Sequence, residues 1–318
     1  CANKEIERYE LSDEEVLHAA KYAIDKNWGS IVIQAGERSN QAFTNNITRL
    51  LKKIKSLSDK PPGITLSLGE QSDEVFKEWF DAGAHRYLLR IESSVKSLYD
   101  KLHPDDEKHD FNNRMSALKR LRKLNYQTGT GVMIGTPFQT IENLADDLIF
   151  MREFDIDMCG MGPYIEHSKT PLYQFKKNLL PLEERFRLAL KMIAILRIIM
   201  KDVNIASSTA LQAIHPHGRE MALKAGANVI MPNITPVKYH ENYALYKNKP
   251  KVNEETDEYI KDLEKHIESA GDKVGYNEWG DPVHFFKRKN TPAGIRTRVT
   301  ASKGPYDWPD YTTGAQYL

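Results

Sequence analysis

Cysteine is almost absent from this chain: its 318 residues include two, Cys1 and Cys159. Two cysteines cannot build a disulfide framework, and no secretory leader opens the sequence, so a reducing cytoplasm is the expected setting. Long apolar runs are missing as well. The longest, around Met192 to Met200, is interrupted by Arg197 and falls far short of the ~20 apolar residues that span a bilayer. Nor is there an excess of either charge, since Lys plus Arg number 45 against 44 Asp plus Glu, a net charge of +1. That balance argues against a nucleic-acid or membrane partner for the chain as a whole and favours a small ligand bound locally. No Walker loop, serine nucleophile elbow or helix-opening GxGxxG occurs. Residue 1 is Cys rather than Met, and the sequence reads as starting inside a longer protein.

What is present is a strand-then-helix rhythm. A hydrophobic content of 40% over this length suits one α/β barrel or two smaller domains. Seven strand candidates lie near residues 31, 65, 88, 130, 159, 205 and 229, each separated from the next by a helical stretch. Ser12 with Glu15 has capping-box spacing and predicts a helix through about Lys26. Further helices are expected over Ser72 to Ala82, Phe111 to Leu124, Ile141 to Phe154, Pro181 to Met200, His217 to Gly226 and Glu254 to Ser269, the last followed by an irregular tail. Repeated βα units make a parallel sheet, whose ligand sites gather at the C-terminal strand ends. Polar or small residues recur there: Gly36 and Glu37, Ser67 and Glu70, Arg90 and Glu92, Gly135 and Thr136, Ser207 to Thr209, and Met231 to Asn233.

The most informative strand is RYLLRIES, residues 86 to 93. Alternation puts Tyr87, Leu89 and Ile91 on one face, and Arg86, Leu88, Arg90 and Glu92 on the other. Charges on the inward face of a buried strand are costly unless paired or bound to ligand. Arg90 and Glu92, beside Thr65 and Ser67, therefore read as a polar ligand cradle, with a structural ion pair as the plain alternative. Arg114, on a helix, reaches a carboxylate or is simply solvated; spacing alone does not decide, and a surface position is the plain reading. His215 and His217 flank Pro216 without a third ligand at any evident spacing, so a loop before a helix is the reading there. Met158, Met161 and Met231 are ordinary core residues by type, and Cys159 is expected to pack rather than react.

With these stretches laid out, the sequence resembles the radical S-adenosylmethionine enzymes, in particular the HydE maturases of [FeFe]-hydrogenase. The resemblance rests on ITLSLGE, AGAHRYLLRIES, VMIGTP with QTIENLADDL, DMCGMGPYIEHSKTPL and AGANVIMPNITP, in that order, and on the ending GYNEWGDPVHFFKRK; it covers residues 3 to about 289. It implies a (β/α)8 TIM barrel of the radical SAM type, with the first strand and cluster loop missing from this chain. Residues 1–200 would form the radical SAM barrel portion and 201–289 a C-terminal portion of the biotin/thiamin-synthesis type. The implied cofactors are S-adenosylmethionine and a [4Fe-4S] cluster. Glu92 and Arg114 would hold S-adenosylmethionine, Gly36 and Glu37 would meet its methionyl end, and Met158 would line the adenosyl pocket. Thr65, Ser67, Arg90, Ser208, Thr209, Met231 and Tyr243 would surround the substrate, a cysteine-bound iron carbonyl cyanide complex, with Arg90 as anion clamp. An electron donor such as ferredoxin or flavodoxin and the other hydrogenase maturases would be the partners.

Two departures accompany the resemblance. The CxxxCxxC loop that holds the cluster is not in the sequence, and Cys1 stands too close to Asn3 to be its last cysteine. The expectation is that all three cluster ligands lie upstream, that no metal ligand belongs to this chain, and that the chain alone lacks radical activity. At the other end, AGIRTRV and KGPYDWPDYTTGA resemble the translated complement of a transfer RNA gene, so residues 290–318 read as spurious sequence, against the alternative of a genuine flexible tail. A methylornithine-synthase-like mutase and a non-catalytic barrel binding a small anion or S-adenosylmethionine remain as the other function classes.

Overall fold

A computed structural model of the protein describes residues 7–239 and 256–290. Its first repeat opens on a reciprocal cap: Ser12 Oγ accepts from the Glu15 N–H and the Glu15 carboxylate accepts from the Ser12 N–H, satisfying two donors that a helix start leaves over. Helix α1 (Asp13–Asp25) leads into β1 (Ser30–Gln34), and the pattern continues through α2 (Gln41–Lys55), β2 (Gly63–Ser67), α3 (Asp73–Asp81) and β3 (Arg86–Leu88). Helices α4 (Lys96–Leu102) and α5 (Phe111–Lys123) precede β4 (Gln127–Thr130) and β5 (Met133–Ile134). Then follow α6 (Ile141–Phe154), β6 (Met158–Cys159), β7 (Gly162–Pro163), α7 (Leu182–Ile199), β8 (Asn204–Ile205), α8 (Thr209–Ile214), α9 (Gly218–Lys224), α10 (Asp257–Ser269) and α11 (Val283–Asn290).

Strands β1, β2, β3, β4, β6 and β8 stand side by side in chain order, and every neighbouring pair is parallel. The pairing of β6 with β8 carries the sheet across residue 200 without interruption. The seventh candidate contributes one parallel bridge, Val229 to Ala206, instead of a full strand. Sequential parallel order with intervening helices is the wall of a β/α barrel, and here it forms a curled, open arc. Two expected strands are each split in two. The split occurs where Gly131 meets Gly160: a Cβ on Gly131 would lie 1.9 Å from the Gly160 carbonyl oxygen, a backbone approach open only to glycine. Beyond it β5 and β7 pair with each other.

The outer face of the sheet is apolar. Trp79, Tyr87, Tyr126 and Phe76 are fully buried, with Phe76 edge-on to Tyr87 at 5.1 Å, and each such side chain contributes roughly 1.5–3 kcal/mol of transfer free energy. Their polar tips are satisfied: Tyr87 donates to the Gly69 carbonyl (2.7 Å), Tyr126 to that of Phe76 (2.7 Å), and the Trp79 indole to that of Thr44 (3.2 Å).

The N-terminal ends of the strands are closed by the chain's own C-terminal segment. Asn277 N–H donates to the Asn27 carbonyl (2.7 Å), the Trp279 indole to that of Pro61 (2.9 Å), and Asn204 Nδ2 to that of Gly280 (2.7 Å). Arg86, buried at the start of β3, donates to the Trp279 carbonyl (2.5 Å) and pairs with Asp281 (3.3 Å), which gives it the structural role its position suggests. The segment ends in α11, where an irregular tail was expected; Arg288 paired with buried Asp157 (2.7 Å) and Lys287 with Asp202 (2.5 Å) supply the tertiary contacts that so short a helix needs.

One buried carboxyl makes the fold sensitive to pH. Asp147 on α6 is fully buried and accepts from both the N–H (2.6 Å) and the hydroxyl (2.7 Å) of Ser94, just after the mouth end of β3. Burial pushes its pKa up to about 7, although the Ser94 bonds oppose the rise. Between the unfolded value of about 4 and that folded value of about 7, the native state holds a proton that the unfolded chain has released. Stability therefore falls as pH rises through this window. Asp147→Asn retains an acceptor for Ser94 and cannot titrate, so denaturant unfolding of the variant between pH 4.5 and 7.5 should lose this slope; an unchanged slope would show that Asp147 is not its source.

Candidate active site

Strand β3 delivers its charges as the alternation predicts. Tyr87, Leu89 and Ile91 are buried against the helices, whereas Arg90 and Glu92 are half-buried beyond the end of the strand. They pair with each other, Arg90 Nη2 to Glu92 Oε2 at 2.9 Å, so the ion-pair reading is realised, and Arg90 also donates to the Val132 carbonyl (3.2 Å). Arg90 Nε is buried without a hydrogen-bond partner among the described residues. Glu92 sits at φ 62°, in the left-handed region that glycine favours. Its backbone is held there from both sides: its N–H donates to the Gly131 carbonyl (3.0 Å) and its carbonyl accepts from Met133 (3.2 Å). Strain of this kind persists where surrounding bonds over-determine it.

Arg114 is not on the surface, the plain reading of its helix, but 5% exposed. Asp110 caps α5 through the Asn113 N–H (2.8 Å) and so starts the first turn that carries Arg114 inward. Its guanidinium lies between two carboxylates, Glu37 at 2.9 Å and Glu70 at 2.6 Å. The register brings them together: Gln34 is opposite Ser67, and each strand runs on three residues to its glutamate. Gly69, at φ 75°, makes the space, since a Cβ there would lie 2.6 Å from Glu37 Cγ. Burial raises the Glu70 pKa, with the neighbouring Glu37 charge adding to the rise and Arg114 opposing it. Arg114 itself is pushed further toward the charged state, because the attraction of Glu70 and Glu37 outweighs the cost of burial. Tyr99 belongs to the same cluster and stacks on His103 at 3.8 Å, while Lys108 donates to the Glu37 carbonyl (2.6 Å). Glu70 was noted only as a strand-end residue; the repeated ending of β1 and β2 in Gly-Glu was the signal that paired it with Glu37.

The other expected residues distribute around these two clusters. Gly36 has open space where a Cβ would stand. Thr65 is buried and Ser67 half-buried on β2. Met158 faces the interior with Leu88, in the space Gly129 leaves: a Cβ on Gly129 would approach them to 3.0 and 2.9 Å. Ser208 is the N-cap of α8 without a side-chain capping bond, and its buried Oγ, packed against Gly162, has no hydrogen-bond partner among the described residues. Thr209 opens α8. Met161 is core, but Met231 is 38% exposed and so is not the core residue its type suggested. Cys159 is buried with its Sγ 3.7 Å from Met151 Sδ, and burial raises its thiol pKa to about 12, so it packs and does not react. Tyr243 and Cys1 lie outside the described residues.

Residues 1–151 match the Radical SAM superfamily. The chain is 42% identical over 285 residues to the [FeFe] hydrogenase maturase subunit HydE of Thermotoga maritima, a match covering 90% of this chain and 78% of that protein. Biotin synthase of Bacillus pumilus is 23% identical over 210 residues, covering 64% of this chain and 59% of the relative. Among solved structures, methylornithine synthase superposes with a TM-score of 0.69 at 24% identity, over 87% of this chain and 77% of that one. The [FeFe]-hydrogenase maturase HydG superposes with a TM-score of 0.63 at 17% identity, over 83% and 58%. These structural likenesses concern the barrel fold.

The left-handed backbone at Glu92 separates local strain from side-chain function. Glu92→Gly and Glu92→Ala both remove the partner of Arg90, but only glycine adopts φ 62° without cost, so thermal unfolding should find the glycine variant more stable than the alanine variant by about 1 kcal/mol. Equal stabilities would mean that the backbone relaxes out of this conformation when the carboxylate is lost.

Proposed function

The chain belongs to the HydE family of radical SAM proteins, and on that footing we propose that its barrel mouth holds S-adenosylmethionine in the Arg114 cluster and a small organometallic anion over Arg90, in the service of [FeFe]-hydrogenase maturation. Identity of 42% across most of both chains supports a maturase over a methylornithine-synthase-like mutase, whose likeness here is one of fold.

The observation that carries the reading is the position of Arg114. The methionyl end of S-adenosylmethionine has one carboxylate and one ammonium, and the cluster offers the complement: a buried guanidinium and two carboxylates. Arg114 exchanges a glutamate for the ligand carboxylate, and the released glutamate receives the ammonium, so no charge is left desolvated and unpaired. Gly36 leaves room for the methionyl backbone atoms, Glu92 contributes a further acceptor, and Met158 supplies an apolar wall for the adenosyl group. Arg90, with its leftover Nε donor, clamps the substrate anion, and the unpartnered Ser208 hydroxyl donates to it. Thr65, Ser67, Thr209, Met231 and Tyr243 complete the substrate surroundings.

When bound together with a reduced [4Fe-4S] cluster, S-adenosylmethionine supplies the 5′-deoxyadenosyl radical of this superfamily. Cys159 is the one cysteine among the described residues, and its buried, protonated thiol does not fit a cluster ligand. An electron donor of the ferredoxin or flavodoxin type and the other maturases are the partners this reading requires. Among the described residues no helix is long and apolar enough to cross a membrane.

Equilibrium binding of S-adenosylmethionine to the purified chain tests the two arginine roles against each other. Arg114→Gln should weaken binding by about 30-fold or more, the effect of removing one partner from a buried charged contact. Arg90→Gln, which reaches the ligand only through Glu92, should weaken it several-fold less than Arg114→Gln does. Equal losses in both variants, or no loss in Arg114→Gln, would overturn the assignment.

A further inference from the structure

His217 and His215 looked like metal ligands without a third member. The fold supplies the missing groups from elsewhere. His217 precedes α9 and Glu220 lies on it, while α10 packs alongside and brings His266 in from far along the sequence. Nδ1 of His217 and Nδ1 of His266 approach the same oxygen, Glu220 Oε1, at 3.2 and 2.6 Å. One ligand atom from each of the three residues lies within 4.8 Å of the others.

We propose that His217, Glu220 and His266 bind a divalent ion of the zinc type, which staples α10 to α9. Three features of the arrangement carry this. Two imidazoles and one carboxylate form a donor set suited to zinc, and an open position is left for water. His266 also has the outer partner that metal-bound histidines ordinarily keep: its Nε2 faces Asp262 Oδ2 at 3.2 Å, which fixes the tautomer and leaves Nδ1 for the ion. The carboxylate is anchored while the entry side is open, Glu220 being 12% exposed, His266 39% and His217 65%. A cavity of about 60 Å³ adjoins the cluster. It is lined in part by Gln212, whose buried Oε1 has no hydrogen-bond partner among the described residues, and by Arg219, which donates to Tyr259 (2.9 Å) and so ties the same two helices together. His215 stays outside the set, since its Nδ1 accepts from the His217 N–H (3.1 Å) and its ring stacks on Phe186. Without an ion, both imidazoles crowd one carboxylate oxygen; with it, the three groups each donate a lone pair to a common centre.

The test uses the whole chain carrying Cys1→Ser, since the other thiol, Cys159, is buried and cannot reach the ion. Zinc measured by equilibrium dialysis should bind at one equivalent per chain, and cobalt should give ligand-field bands without thiolate charge transfer. In imidazole ¹⁵N spectra of the wild-type chain, zinc should shift Nδ1 of two histidines while their Nε2 remains protonated. His217→Ala combined with His266→Ala should abolish the binding and the rise in melting temperature that zinc causes, and His18→Ala should change neither. Asp262→Asn, which alters the outer partner alone, should weaken zinc by about 10- to 100-fold. Absence of stoichiometric zinc, binding unaffected by the double substitution, or wild-type spectra in which no pair of histidines responds at Nδ1 would each overturn the proposal. The wild-type spectra decide it even if the double variant does not fold.

Discussion

The mouth of the barrel depends on one desolvated charge. Arg114 stands between Glu37 and Glu70, and through them helix α5 is tied to the ends of β1 and β2. A buried guanidinium with two carboxylate neighbours carries an excess of negative charge at close quarters, which is why burial and Glu37 together raise the Glu70 pKa while Arg114 becomes still harder to deprotonate. Such a cluster adds little to stability compared with apolar packing. Its value is readiness: a zwitterionic ligand can replace internal partners one for one without leaving any charge unpaired.

Three arginines divide the two ends of the barrel among them. Arg86, at the lower end of β3, is committed to the C-terminal segment, which closes the strand starts through Trp279 and Asp281. Arg90, four residues on, pairs with Glu92 and donates to the Val132 carbonyl. Arg114 comes from a helix and reaches over the strand ends. The lower end is thereby a closed structural contact and the upper end a polar, exchangeable one. Asp147 stands beside this upper end: its buried carboxyl accepts from the N–H and hydroxyl of Ser94, two residues beyond Glu92.

Much of this was legible in the sequence, and the reasons are local. The alternation in RYLLRIES, the capping box at Ser12 and the recurrent polar strand ends follow from side-chain direction and hydrogen-bonding demands within a few residues. The burial of Arg114 was not legible, because helical spacing cannot show which neighbouring loops will cover a charged residue. The splitting of two strands at Gly131 and Gly160 depends on backbone contact between segments. The α11 helix depends on Asp157 and Asp202 for its anchorage, and Met231 is exposed because residue 229 contributes a single bridge and not a strand. The third member of the histidine cluster was invisible for the same reason: His266 is brought to His217 by the packing of two helices.

The central claim is that Arg114 meets the methionyl carboxylate of S-adenosylmethionine. Guanidinium ¹⁵N spectroscopy of the purified chain addresses it directly, with Arg86 as the internal reference for a guanidinium held in a structural contact. Saturating S-adenosylmethionine should shift the Arg114 Nε resonance, assigned by its loss in Arg114→Gln, and leave that of Arg86 in place. Saturable binding with an unmoved Arg114 resonance, or no binding at all, would contradict it.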